Sequence, residues 1–174
     1  MVDRESCEAT FPATRPQNAA FARDERRQAS DRMFTGEYRH TVDAKGRVAI
    51  PAKFRLQLEE GAFITRWFDG CAAIFTKPAF EAIASKFANQ PLANENATSV
   101  SRFLFSSAFE IERDGQGRMV LPLAIREWAG LKTDAIFVGQ WDRVEIWSPE
   151  KWASTQADVA TPEALAGAVK NSAL

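Results

Sequence analysis

Two cysteines and one histidine are the only thiolate or imidazole metal ligands among 174 residues. Cys7 and Cys71 sit in unlike contexts without ligand spacing, and a structural zinc site needs about four Cys or His ligands, so none is expected. Nothing in the chain demands an oxidising compartment. No apolar run approaches the roughly 18 residues of a membrane-spanning helix, and the start, MVDRESCEAT, lacks the apolar core of a secretory signal. The expected location is therefore cytoplasmic, with no membrane partner. A dominant charge is missing as well. The chain has 22 Lys and Arg against 23 Asp and Glu, a formal net charge of −1, so an anionic partner would have to be met by a local patch. There is no P-loop-type glycine loop, no G-x-S-x-G elbow and no carboxylate pair with a general-acid partner on one element. His40, the sole histidine, has no visible partner for acid–base work. An enzyme is not supported, and neither a cofactor nor a small-molecule substrate is expected.

What the chain has instead is a repeat. DAKGRVAIPAKF, Asp43 to Phe54, returns as DGQGRMVLPLAI, Asp114 to Ile125, 71 residues later (114 − 43). At the same offset Phe34 corresponds to Phe105, Tyr38 to Phe109, Ile50 to Leu121, Pro51 to Pro122, Arg55 to Arg126 and Pro78 to Pro149. One supersecondary unit thus occurs twice, and the fold is expected to be a pseudo-twofold object whose function lies on a surface shared by both copies.

In chain order, residues 1–32 carry mixed charge with little apolar periodicity and read as a disordered extension. Met33, where the patterned part begins, is a candidate start codon. Residues 33–84 form the first repeat. Alternation of Tyr38, His40 and Val42 with Glu37, Arg39 and Thr41 predicts a half-buried strand, D-A-K-G a hairpin turn, and Val48 and Ile50 the returning strand. Pro51 opens a short helix with Phe54 and Leu58 on one stripe, closed by Gly61. FITRWF and CAAIFT form a second hairpin about Asp69-Gly70. Phe80, Ile83, Ala84 and Phe87 are spaced for a connecting helix. Residues 85–101 are read as linker and helix, with the polar segment Asn89 to Ser99, containing Pro91, as the linker itself. Residues 102–155 repeat the pattern, with a helix stripe of Leu121, Ile125, Trp128 and Ala129 stopped by Gly130 in an αL-type cap, and a closing hairpin of AIFVG and RVEIW. Residues 156–174, alanine-rich and containing Pro162, form a loosely held tail.

The functional candidates are the turns Asp43-x-x-Gly46-Arg47 and Asp114-x-x-Gly117-Arg118. Glycine supplies the positive φ of a tight reversal, and an arginine beside it offers a planar five-donor fork suited to phosphate or to the O6 and N7 edge of guanine. The competing reading folds each arginine back on its own aspartate as an ion pair that stabilises the turn by roughly 0–1 kcal/mol. Around the first turn Arg39, Lys45, Arg47, Lys53 and Arg55 cluster in sequence. Around the second, Glu110, Glu112 and Asp114 offset Arg113 and Arg118, so the first turn is expected to dominate contact with a polyanion. Lys53, Arg55 and Arg126 read as a solvated helix face. Cys71 reads as a small buried apolar residue, and Trp128, Trp147 and Trp152 as core or subunit-contact residues.

MFTGEYRHTVDAKGRVAIPAKFR, FSSAFEIERDGQGRMVLPLAIREWAGL and VGQWDRVEIW together resemble the MraZ family of bacterial transcriptional regulators over Met33 to about Trp152. The resemblance implies an α+β, mainly β fold of two AbrB-like swapped-hairpin β-barrel units with short helices. It implies that subunits assemble into a ring, a homo-oligomer that binds direct repeats in the double-stranded promoter DNA of the division and cell-wall gene cluster and is nucleoid-associated. The DNA-binding residues it implies are Arg47 and Arg118, with Asp43 and Asp114 beside them; Lys45 and Arg39 join them through their place in the first unit, and Gly46 and Gly117 shape the turns. Ser107 departs from the glycine that many members carry there. The alternatives are an AbrB-type transition-state or antitoxin-like DNA-binding regulator, and a ring that captures a protein partner.

Overall fold

Each repeat lends its strands to the other. In the computed structural model, which describes residues 33–89, 95–159, 161, 166 and 167, strand β1 (Phe34–Thr41) pairs along its full length with β7 (Asp134–Trp141), not with the strand that follows it. β2 (Arg47–Ala49) pairs with β6 (Arg118–Val120), and β5 (Phe109–Glu110) pairs with β3 (Ala62–Arg66). The first hairpin expected from the sequence is therefore not a self-contained ladder: between its arms only the bridge Val42–Val48 forms, matched in the second repeat by Arg113–Met119. The closing hairpins do form as read, β3 with β4 (Ala72–Thr76) and β7 with β8 (Val144–Trp147).

The result is a six-stranded antiparallel sheet, in the order β1-β7-β8-β4-β3-β5, and a separate two-stranded ribbon, β2-β6. Both are open. The expectation of closed barrel units is corrected accordingly, because β1 and β5 stand at opposite edges of the large sheet and no ladder joins them among the described residues. Helices sit beside the strands: α1 (Ala52–Arg55) with a 3-10 turn at Leu56–Leu58, α2 (Lys77–Ala88), α3 (Glu95–Phe105), α4 (Leu123–Ala129) and α5 (Pro149–Val159). The class is α+β, as expected. Five residues of the polar segment read as a linker, Glu95 to Ser99, belong to α3, because the apolar Val100, Phe103 and Leu104 that follow give its C-terminal half a face to bury. Residues 1–32, Pro91, Cys7 and Pro162 lie outside the described residues.

Local chemistry accounts for the elements. Pro51 and Pro122 each precede a helix at a position that needs no N–H inside it. The Asp69-Gly70 loop has φ of 58° and 74° at its two central residues, the signature of a type I′ turn, closed by Cys71 N–H donating to Phe68 O at 3.3 Å. Gly130 ends α4 at φ 69°, and Leu131 N–H donates to Arg126 O at 2.9 Å, the αL cap read from the sequence. Thr76 Oγ1 accepts from Ala79 N–H to start α2.

One core joins the repeats. Phe34, Val48, Ile50, Phe54 and Leu58 of the first pack in the same cluster as Met119, Leu121, Ile125 and Ala129 of the second, all at most 2% exposed. Full burial of each large side chain is worth about 1.5–3 kcal/mol, so neither half keeps its share alone. Phe80 stacks on Phe63 at 4.7 Å and meets Phe105 edge-on at 5.6 Å, which ties α2 and α3 to β3. Cys71 is buried, as expected, and burial pushes its thiol far above the ordinary range. Trp147 is in the core, while Trp128 and Trp152 are half-buried.

Candidate nucleic-acid interface

The two Asp-x-x-Gly-Arg turns are nearly the same object. Asp43 Oδ1 accepts from the backbone N–H of Lys45 and of Arg47, both at 2.9 Å, and Asp43 Oδ2 accepts from Arg47 Nε at 2.7 Å. Asp114 Oδ1 likewise accepts from Gln116 N–H at 2.9 Å and Arg118 N–H at 3.0 Å, and its Oδ2 accepts from Arg118 Nε at 2.8 Å. Gly46 N–H and Gly117 N–H return to the aspartate carbonyls, with glycine φ of 75° and 72°. The backbone hydrogen bonds to Asp43 and Asp114, ahead of the side-chain bonds to their arginines, hold both carboxyls below the usual range, Asp114 at about 2.

The arginines thus fold back on their own aspartates, the competing reading of the sequence. They are not walled in. The Arg47 and Arg118 side chains keep 33% and 31% of their exposure; Asp43 engages Arg47 through Nε, and Asp114 engages Arg118 through Nε and, at 2.7 Å, Nη2, so each planar fork is held in one orientation.

Their placement follows from the ribbon. Arg47 stands opposite Val120, Val48 opposite Met119, and Ala49 opposite Arg118. Val48 and Met119 point inward and are buried, so alternation puts Arg47, Ala49, Arg118 and Val120 on one outward face. Diagonal neighbours on such a face stand about 7–8 Å apart. Arg47 and Arg118 therefore share a small platform, with the Lys45 and Gln116 turns at its two ends. Arg39 does not join it: it lies on β1, and its Nε is 4.0 Å from Asp134 Oδ1.

Two residues that the sequence reading set on a solvated helix face are not there. The guanidinium of Arg126 lies against Gly46, and that of Arg55 against Gly117; a Cβ on either glycine would stand 3.0 Å or 2.9 Å from the arginine Cζ. Each belongs to the other repeat, so charge counted along the chain misses it. Arg113, already beside the second turn in sequence, donates from Nη1 to Arg55 O at 3.1 Å, so Arg55 joins Arg113 and Arg118 there and narrows the difference between the turns. The shared offset of Arg55 and Arg126 was the signal in the sequence. Lys53 stays exposed, its Nζ donating to Thr35 Oγ1 at 3.0 Å. His40 is half-buried, edge-on to Phe137 at 5.6 Å, and burial, then the Arg55 charge, lowers its pKa. No group of three or more His, Cys, Asp or Glu could hold a metal ion, and no helix is long and apolar enough to cross a membrane, among the described residues.

Comparison with known proteins decides the family. A family model described as "MraZ protein, putative antitoxin-like" matches residues 33–103 and again 104–166. The chain belongs to the MraZ family. It is 44% identical over 120 residues to "Transcriptional regulator MraZ" of Syntrophomonas wolfei, covering 69% of this chain and 84% of that protein. It is also 44% identical over 126 residues to the MraZ of Alkaliphilus oremlandii, covering 72% and 88%, and 41% identical over 128 residues to that of Leuconostoc citreum, covering 74% and 90%. The two MraZ matches meet at residues 103 and 104, inside α3, so each carries one Asp-x-x-Gly-Arg turn.

Proposed function

We propose that this chain is a DNA-binding transcriptional regulator that grips the major groove with the β2-β6 ribbon. The observation that carries the reading is the placement of Arg47 and Arg118 on one outward face of a two-stranded ribbon, because a ribbon of that kind fits a major groove about 12 Å wide. Arg47 and Arg118 present their forks to guanine edges or phosphates, with Asp43 and Asp114 fixing their orientation. Lys45 adds charge at the first turn, Gly46 and Gly117 let the backbone reverse, and Arg39 meets phosphate at the flank. The relatives' name, transcriptional regulator, supports the same reading.

One ribbon neutralises few phosphates, and a chain of net charge −1 adds no long-range attraction. Several ribbons on a ring of identical subunits, meeting evenly spaced direct repeats, would multiply weak contacts through effective concentration. The target in this reading is promoter DNA of the division and cell-wall gene cluster, its own upstream region included, in the nucleoid. The test is a gel-shift titration of that upstream DNA with wild type and Arg47→Ala, alongside masses by light scattering. Arg47→Ala is expected to keep the assembled mass and lose the shift; full affinity in the assembled variant would overturn the reading. The family's antitoxin-like description favours a second possibility, a smaller assembly that also binds a toxin encoded beside it, and the same masses separate the two.

A further inference from the structure

Each turn is pressed by an arginine from the opposite repeat. Arg126 of the second repeat covers Gly46 of the first, and Arg55 of the first covers Gly117 of the second, both close enough that any Cβ on the glycine would crowd the guanidinium. The backbone makes the same exchange: Leu121 N–H donates to Gly46 O at 2.8 Å and Ile50 N–H to Gly117 O at 3.1 Å. Arg55 is anchored by its Nε donating to Ile50 O at 2.8 Å. Arg126 Nε is buried and has no hydrogen-bond partner among the described residues, so its position rests on packing over the Gly46 turn.

We infer that Arg55 and Arg126 are reciprocal positioning residues, Arg126 holding the turn that presents Arg47 and Arg55 the turn that presents Arg118. The functional part of this rests on the DNA-binding reading above. An isolated turn of this kind has its hydrogen bonds at the surface, where opening is easy. A flat guanidinium laid on the glycine shields those bonds and blocks rotation of the peptide, which only the absence of a Cβ allows. The aspartate then orients the arginine within the turn, while the brace orients the turn on the ribbon. Each DNA-contacting arginine therefore depends on a helix of the other repeat, and the two braces act separately.

Amide hydrogen exchange on the full chain tests the brace without DNA. Arg126→Ala is expected to speed exchange at Gly46 and Arg47 about tenfold while leaving Gly117 and Arg118 unchanged, and Arg55→Ala to do the reverse. Loosening confined to the variant's own repeat, or no loosening, overturns the inference. Should Arg126→Ala fail to fold, Arg126→Lys serves in its place, since an ammonium cannot lie flat on the glycine: faster exchange at Gly46 supports the brace, and a wild-type rate overturns it. On upstream DNA, Arg126→Ala is expected to weaken binding about tenfold with an unchanged slope of log affinity against log salt, whereas a slope shallower by about one would make Arg126 a phosphate contact and overturn the positioning role. If wild type shows no salt-sensitive binding to that DNA, the functional reading falls, and the exchange result still decides whether the brace exists.

Discussion

Val48 and Met119 face each other across the β2-β6 ribbon, each 1% exposed, and so fix which side of the ribbon faces outward. A three-residue strand has little hydrogen bonding to hold its register, so this apolar pair, set in the shared core, does most of that work. Met119→Ala is expected to cost about 2–5 kcal/mol in urea unfolding, as a large-to-small change in a well-packed core. A loss of only a few tenths would mean the ribbon is held from elsewhere.

Arg47→Ala and Arg118→Ala should both weaken binding to the upstream DNA, each contact being worth about 1–3 kcal/mol. The first turn has Lys45 where the second has Gln116, so Arg47→Ala is expected to be the more damaging. Fluorescence anisotropy at several salt concentrations measures both. An equal or reversed order would show that the cations brought across the repeat boundary have levelled the turns.

Glycine substitutions separate strain from crowding. Gly130 has φ 69° but only ordinary contacts, the nearest 3.7 Å from where a Cβ would stand, so Gly130→Ala should cost about 1–2 kcal/mol of backbone strain. Gly139 pairs with Gly36 in the β1-β7 ladder, and a Cβ on it would stand 2.4 Å from backbone atoms of Phe34 and Thr35. Gly139→Ala must therefore push the strands apart, and its thermal midpoint should fall well below that of Gly130→Ala. Equal midpoints would contradict this geometry.

Acid should unsettle the turns late. Asp43 and Asp114 have folded pKa values below their unfolded ones, so their stabilisation is fully present above the unfolded value near 4 and is lost as pH falls through the folded value, about 2 for Asp114. His40 is also lowered, so its neutral form suits the fold, and stability declines as pH falls from about 6.5 through its folded value. Unfolding midpoints from pH 8 to 2 should show both declines. His40→Gln should remove the upper one and Asp114→Asn part of the lower.

Much of this was legible in the residues. The 71-residue offset, the aspartate-to-backbone bonds of the turns, the Asp69-Gly70 reversal and the Gly130 cap are local chemistry, and local chemistry is written in neighbouring letters. Strand partners are not. Alternation tells which face of β1 is buried, but it is silent on whether β2 or β7 lies alongside, because either ladder would bury Tyr38 and Val42 equally well. The same blindness misplaced Arg55 and Arg126. Their distance along the chain from the turns they cover is large, and only the exchange of strands brings them near.

That exchange also bears on how the protein is made. β1 ends at Thr41 and its partner begins at Asp134, so when the front half leaves the ribosome its longest strand has nothing to zip against. Closing a gap of this length costs entropy before any contact is gained, which slows assembly and leaves sticky edges bare in the meantime. The nascent front half is thus committed to waiting, and a ribosome stalled between the repeats would release a fragment with unsatisfied strands, ready to borrow them from another chain.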